Sequence, residues 1–141
     1  TIEIEGLNQL SADLKKFSSN VESQLSDVVS VTALDTEAGI VKGIQRGTKS
    51  GTEYLKENPK RLHQASAPGE APASDTGTLV KSYTSIIKPL FAFVGSPLAY
   101  AFDLEFGTQR IKERPIVRPV REQQNKLMPK RVLAALKKVK K

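Results

Sequence analysis

NQLSADLKKFSSNVESQLSDVVSVTALDTEAGIVKGIQR, residues 8–46, holds no proline and no glycine before Gly39. With Leu7 in front of it, the apolar residues fall three or four apart: Leu7, Leu10, Leu14, Phe17, Val21, Leu25, Val28, Val31, Leu34, Ala38 and Val41. At 100° per residue this spacing gathers them on one side of a helix. One or two amphipathic helices are therefore expected over about residues 8–46. If there are two, Ser18-Ser19-Asn20 is where they part, because these side chains compete with the backbone for hydrogen bonds. Gly39, Gly43 and Gly47 weaken the far end, each by ~1 kcal/mol relative to Ala. Such a stripe faces the chain's own sheet or another helix, and the sheet is the expectation.

Before this helix, Ile2–Glu5 alternates apolar and acidic residues and predicts a short strand. After it, from Gly47 to Gly77, the periodicity stops. Pro59, Pro68 and Pro72 and several glycines interrupt the segment, and large apolar residues are few. It is expected to be a long loop, residues 47–77, with at most a helical turn near Thr52–Glu57. Either it is a floppy insertion or it orders against a neighbouring subunit.

TLVKSYTSIIK, residues 78–88, predicts a strand, entered through a helical turn at Leu79–Tyr83. FAFVG, Phe91–Gly95, predicts a second, and Lys88-Pro89-Leu90 is short enough to join them as a hairpin. Ser96 and Pro97 suit the N-cap and first position of a short helix that ends before Gly107, a residue fit for positive φ. In IKERPIVRPV, residues 111–120, the prolines confine the Ile116-Val117 pair to an edge strand or an extended segment. Glu122 to Lys140 repeats at helical spacing, and Pro129 must kink that helix or start a new one. The predicted class is α+β: a long N-terminal helix and a basic C-terminal helix packed on a small, mainly antiparallel sheet, in one domain spanning 1–141.

Charge is unevenly distributed. The chain of 141 residues carries a net +7. From Glu105 onward there are twelve Lys/Arg against three Asp/Glu, or +9, and the first 104 residues carry ten against twelve, or −2. A basic block thus follows a mildly acidic body, ending in the basic tail 137–141. Nucleic acid, an acidic protein surface and solubility each account for such a block. Lys126, Lys130, Lys137, Lys138 and Lys141 can share a helix face, but no aromatic follows Phe106 to stack on a base.

Catalytic patterns are weak. There is no cysteine and one histidine, His63, so neither a thiolate nor a multi-histidine metal site is expected. No phosphate-binding glycine motif or zinc-protease motif occurs. Asp75-Thr76-Gly77 spells an aspartic-protease triplet, but its setting after Ala-Pro-Ala-Ser predicts a turn. Asp103 and Glu105 lie two apart, on different sides of a helix. No cofactor and no enzymatic activity are expected. No apolar run is long enough to cross a bilayer, and no signal-peptide pattern opens the sequence, so a cytoplasmic site of synthesis is expected.

The densest cluster is AYAFDLEFGTQRIKERPIVRP, residues 99–119. Tyr100, Phe102 and Phe106 lie beside Glu105 and ahead of Arg110, Arg114 and Arg118. Aromatic and Arg side chains are the preferred anchors of protein–protein contacts. Pro115 and Pro119 stiffen the segment and reduce the entropy lost on docking. Glu105 can pair with an arginine across an interface or within the chain.

Taken in order, GLNQL, DTGTLVKSY, FVGSPLAYAFDLEFGT, RPIVRPV and a basic helical end resemble the neck and tail-completion proteins of long-tailed double-stranded-DNA bacteriophages. Asp75, Thr76, Gly77, Leu79 and Ser82 match one phrase of that pattern. Gly95, Tyr100, Ala101, Glu105, Phe106, Gly107 and Thr108 match a second, and Arg114, Pro115 and Pro119 a third. Ile116, Val120 and Pro129 depart from it. The resemblance implies a structural protein of the virion, at the head–tail neck, assembled in the host cytoplasm. It implies a ring of copies of itself, sixfold or a multiple, between connector or stopper and tail-terminator or tail-tube proteins. DNA would pass through the ring without sequence-specific binding, and no membrane is involved. On this reading Tyr100, Glu105, Phe106, Gly107, Thr108, Arg114, Pro115, Arg118 and Pro119 form the assembly interface. Asp75, Thr76, Gly77, Leu79 and Ser82 form its turn motif. The alternative is a small basic DNA-binding protein using its C-terminal helix.

Overall fold

The structure is a computed structural model, and it describes residues 6–139. The strand expected at Ile2–Glu5 and the last two lysines of the tail lie outside the described residues. The architecture is α+β, with four helices and two separate two-stranded antiparallel sheets among the described residues.

Helix α1 runs unbroken over Leu7–Arg46, about 60 Å at 1.5 Å per residue. No break occurs at Ser18-Ser19-Asn20. All three side chains face solvent, where water satisfies them and nothing draws the backbone out of its ladder. Residues 7–20 are exposed, and packing starts at Val21.

Helix α4, Val117–Val139, lies antiparallel along α1. Ile116 and Val120 meet α1 at Gly43 and Gly39. Met128 receives the Thr32 hydroxyl at 3.7 Å, and Lys138 reaches the level of Gln24 and Asp27. The two glycines read as weak points are therefore seats. A Cβ on Gly39 would stand 2.9 Å from Val120 Cγ1, so the bare backbone lets the helices close. Arg131 locks the pair by bonding the Asp35 carboxylate, the Thr32 hydroxyl (3.0 Å) and the buried Gln124 side chain (2.9 Å). The helix continues through Pro129, without a second start.

The other flank of α1 receives a hairpin of β3, Thr84–Lys88, and β4, Phe91–Gly95, with Ile86 opposite Phe93. Ala92 and Val94 turn toward Val29, Ala33 and Thr36 of α1. The packed faces of α1 thus run through Ala33, Thr36, Ile40 and Ile44 and through Gly39 and Gly43, whereas Val31, Leu34 and Ala38 of the expected stripe stay exposed. Helix α2, Thr78–Ser82, enters β3 as expected and contributes Leu79 and Val80 to the core. With Ile40, Ile44, Tyr83, Ala101, Ile116 and Val120 these make one small cluster, of which only Ile40 and Ile44 are fully buried.

Three expectations need correction. Residues 47–77 are not an unstructured loop, and Thr52–Glu57 is not helical. Strands β1, Glu53–Glu57, and β2, Lys60–Gln64, form a hairpin there. Its alternation was hidden because most of its side chains are exposed on both faces, so no apolar period marks it. Helix α3 spans Ala99–Phe106, with Leu98 as N-cap, two residues later than Ser96 would set it. Ser96 instead accepts the Leu98 amide at 3.2 Å. Finally, Val117 is helical and Pro119 sits inside the first turn of α4, so no edge strand forms at Ile116-Val117.

Candidate assembly surface

Glu105 is buried at the end of α3, and its carboxylate faces the start of α4. One oxygen accepts the amides of Ile116 (2.8 Å) and Val117 (3.0 Å), and the other accepts that of Arg118 (2.9 Å). A helix begins with four amides lacking partners in the helix itself. Here Glu105 takes three, and Pro119 has none to offer. The positive end of the helix also favours the negative charge. Burial alone would raise the Glu105 carboxyl, but these amides and the Arg118 guanidinium outweigh it and hold it below the usual carboxylate range. Arg118 also donates to the Glu105 carbonyl (2.9 Å) and to Glu113 (2.6 Å). Glu105 is thus an internal cap, and the intramolecular alternative for it is the one realised. It is corrected from the list of interface residues.

Several other residues of the cluster work inside the fold. Gly107 has φ 75° and ψ 173°, a positive-φ extended conformation and not the left-handed helical one. Its missing side chain leaves room for Ile111 O, which a Cβ would approach to 2.9 Å. Thr108 closes the loop by accepting the amides of Arg110 (3.2 Å) and Ile111 (3.1 Å). Arg114 gives its amide to Leu104 O and its guanidinium to Ser66 O at 3.2 Å, tying the arm to the segment after β2. Pro115, half-buried, follows it. These are constraints on the arm's shape.

The turn motif is similarly structural. Asp75 holds Lys56 with one carboxylate oxygen and Arg61 with the other, clasping the β1–β2 hairpin to the body. The Lys56 hydrogen bond leads the effects that hold its carboxyl below the usual range. The Thr76 and Thr78 hydroxyls share a 2.8 Å bond. Gly77 (φ 79°) caps α2, and Leu79 is core. Ser82 bonds Ser96 at 2.7 Å, joining the two ends of the β3–β4 unit. Glu70, not singled out in the sequence, fixes the loop by accepting Ser50 (amide and hydroxyl) and the Ala67 amide. Neither Glu70 nor the Lys56–Asp75–Arg61 clasp had a local signal, since each pairs residues that only the hairpin brings together.

Helix α3 divides the expected interface between two surfaces. Tyr100 and Leu104 face an open groove of about 600 Å³, with Tyr54, His63, Asp75 and Arg114 around it. There His63 packs edge-on to Tyr54, with ring centres 5.3 Å apart. Phe102 and Phe106 face the other way, toward a second groove of about 350 Å³ walled by Phe93, Val117 and Arg118. Their rings lie 4.7 Å apart, and the Arg118 guanidinium sits 5.7 Å from the Phe106 centroid, in cation–π range. Pro119 is exposed beside them. Of the residues expected at an interface, Tyr100, Phe106, Thr108 and Pro119 are exposed, and Arg118 is half-buried.

Comparison with family models, with curated proteins and with solved structures finds no significant match to this chain. No helix among the described residues is long and apolar enough to cross a membrane.

Proposed function

We propose that this chain is a structural protein of a phage head–tail interface, a neck or tail-completion ring subunit that joins connector and tail around the DNA channel. One observation carries the assembly part of this reading: the surface is too large and too apolar for a chain that works alone. The solvent-accessible area is 10362 Å², against about 7,200 Å² for a compact monomer of 15.4 kDa. Leu7, Leu10, Leu14, Phe17, Phe93, Phe102 and Phe106 are all more than half exposed. Large contiguous apolar patches mark surfaces that other proteins cover. The head–tail placement comes from the ordered motifs, and no catalytic step belongs to it.

The charge pattern suits a DNA conduit. A densely basic lumen would retain DNA through many phosphate contacts. The acidic N-terminal helix, with Asp13, Glu22, Asp27, Asp35 and Glu37, is therefore assigned to the channel side. The exposed Lys126, Lys130, Lys137 and Lys138 of α4 are assigned to a partner protein or the outside.

Removal of the chain from producing cells tests the reading. Filled heads and finished tails that accumulate unjoined are expected, and normal infectious particles would refute it. Salt-dependent DNA binding discriminates the alternative. Weak binding at physiological salt, unchanged when Lys137–Lys141 are deleted, is expected. Tight binding that collapses on that deletion would identify a DNA-binding protein instead.

A further inference from the structure

We infer that the N-terminal arm of α1 in one copy docks into the Phe93–Phe102–Phe106 groove of the next, so that the chain joins to itself head to tail. The inference deepens the assembly reading and rests on it for taking a like copy as the occupant.

Leu7, Leu10, Leu14 and Phe17 are 57, 56, 59 and 52% exposed. They continue the face of α1 that α4 covers, and they lie beyond the level of Asn20, where Val139 reaches. The arm is thus a helix with a bare apolar stripe and no covering element among the described residues. Phe93, Phe102 and Phe106 are 58, 66 and 56% exposed and border the groove beside α3, and Ile86, 56% exposed, stands opposite Phe93 in the hairpin. One face is convex and helical, and the other is concave and aromatic, the arrangement in which a helix lays anchors at i, i+3 and i+7 into a groove. Together they offer on the order of 1,000 Å² of apolar surface, the scale at which a specific contact becomes stable.

The occupant is not the molecule's own arm. Ala92 and Val94 press on α1, so Phe93 and Ile86 point away from it across the sheet. Reaching them would require breaking α1. Charge is also complementary. At 100° per residue, Asp13 flanks the apolar stripe, while Lys15 and Lys16 fall toward its far side. At the groove, Arg118 is already paired with Glu105 and Glu113, and Arg121 is the exposed cation that faces the arm. Because the two faces differ, the contact is heterologous, and repetition yields a ring where the rotation closes.

The test uses the full chain and three variants, followed by mass in solution: Leu10→Glu with Phe17→Glu (arm), Phe102→Glu (groove), and both sets together. All the side chains are more than half exposed, so helicity and melting midpoint should hold. The wild type is expected to associate, and each variant to weaken association at least tenfold. Mixing arm and groove variants should restore a single joint, giving dimers and nothing larger. The chain has no cysteine, so Leu14→Cys with Phe102→Cys in one chain gives an independent readout: an oxidised ladder is expected, and neither single cysteine should produce it. A groove variant that associates normally, or a Leu14→Cys chain that alone forms abundant dimers, would replace this contact with an arm-to-arm coil. A wild type that stays monomeric at high concentration would overturn the inference, while head–tail joining in particles would still test the assembly role separately.

Discussion

The δ-methyl of Ile116 rests against the bare backbone of Gly43, so closely that a Cβ on Gly43 would lie 2.3 Å from it. Ile116 is also the residue whose amide Glu105 binds. Helix seat and helix cap therefore meet at one point, and errors at either loosen the packing of α4 on α1.

Gly43→Val puts a branched side chain where Ile116 now sits. Overpacking typically costs 1–3 kcal/mol, and a loss of roughly that size is expected, read as a lower denaturant midpoint. The replacement improves helix propensity by only a few tenths of a kcal/mol, so the steric term decides the sign.

Glu105→Gln keeps the shape but removes the charge that faces three amides. A loss of about 1–3 kcal/mol at pH 7 is expected, as for a buried, charge-assisted hydrogen-bond acceptor. The folded carboxyl lies below its usual value. Its contribution is therefore complete above the unfolded pKa of about 4.3 and fades as pH falls through the folded value. Unfolding curves of wild type and variant should differ at pH 7 and draw together toward pH 3.

Gly107→Ala forces a side chain into a backbone conformation that essentially only glycine adopts, with Ile111 O in the way. A destabilisation of about 1–3 kcal/mol is expected, together with faster amide exchange in residues 107–114.

Asp75→Ala frees the β1–β2 hairpin from its clasp. Amides of Glu53–Gln64 should exchange faster while the global midpoint moves little, because the hairpin contributes nothing to the central core cluster. In the wild type the same loosening should appear as pH falls through the lowered Asp75 value, and be absent at neutral pH.

Much of the fold was legible. The helical run of α1, the β3–β4 hairpin and the positive φ at Gly107 all follow from short-range rules, but the side of α1 that packs does not: Ala33, Ile40 and Ile44 are buried, while Val31, Leu34 and Ala38 of the expected stripe are exposed. The candidate site was legible as a cluster but not as a division of labour. Nothing near Glu105 in sequence says that it faces backbone amides eleven to thirteen positions on, and nothing near Phe106 says that its ring stays open. The β1–β2 hairpin went unread because its residues lack the buried–exposed alternation that marks a strand.

Local spacing and turn chemistry determined that α1 is helical and that β3 and β4 pair, since these depend on neighbours a few residues away. Only the tertiary structure decided that Gly39 and Gly43 are contact points, that Glu105 is an internal cap, and that Leu7, Leu10, Leu14, Phe17, Phe93, Phe102 and Phe106 are left uncovered. Those outcomes depend on where α4 ends along α1 and which way α3 faces, and that relative placement is set by packing between residues far apart in the chain.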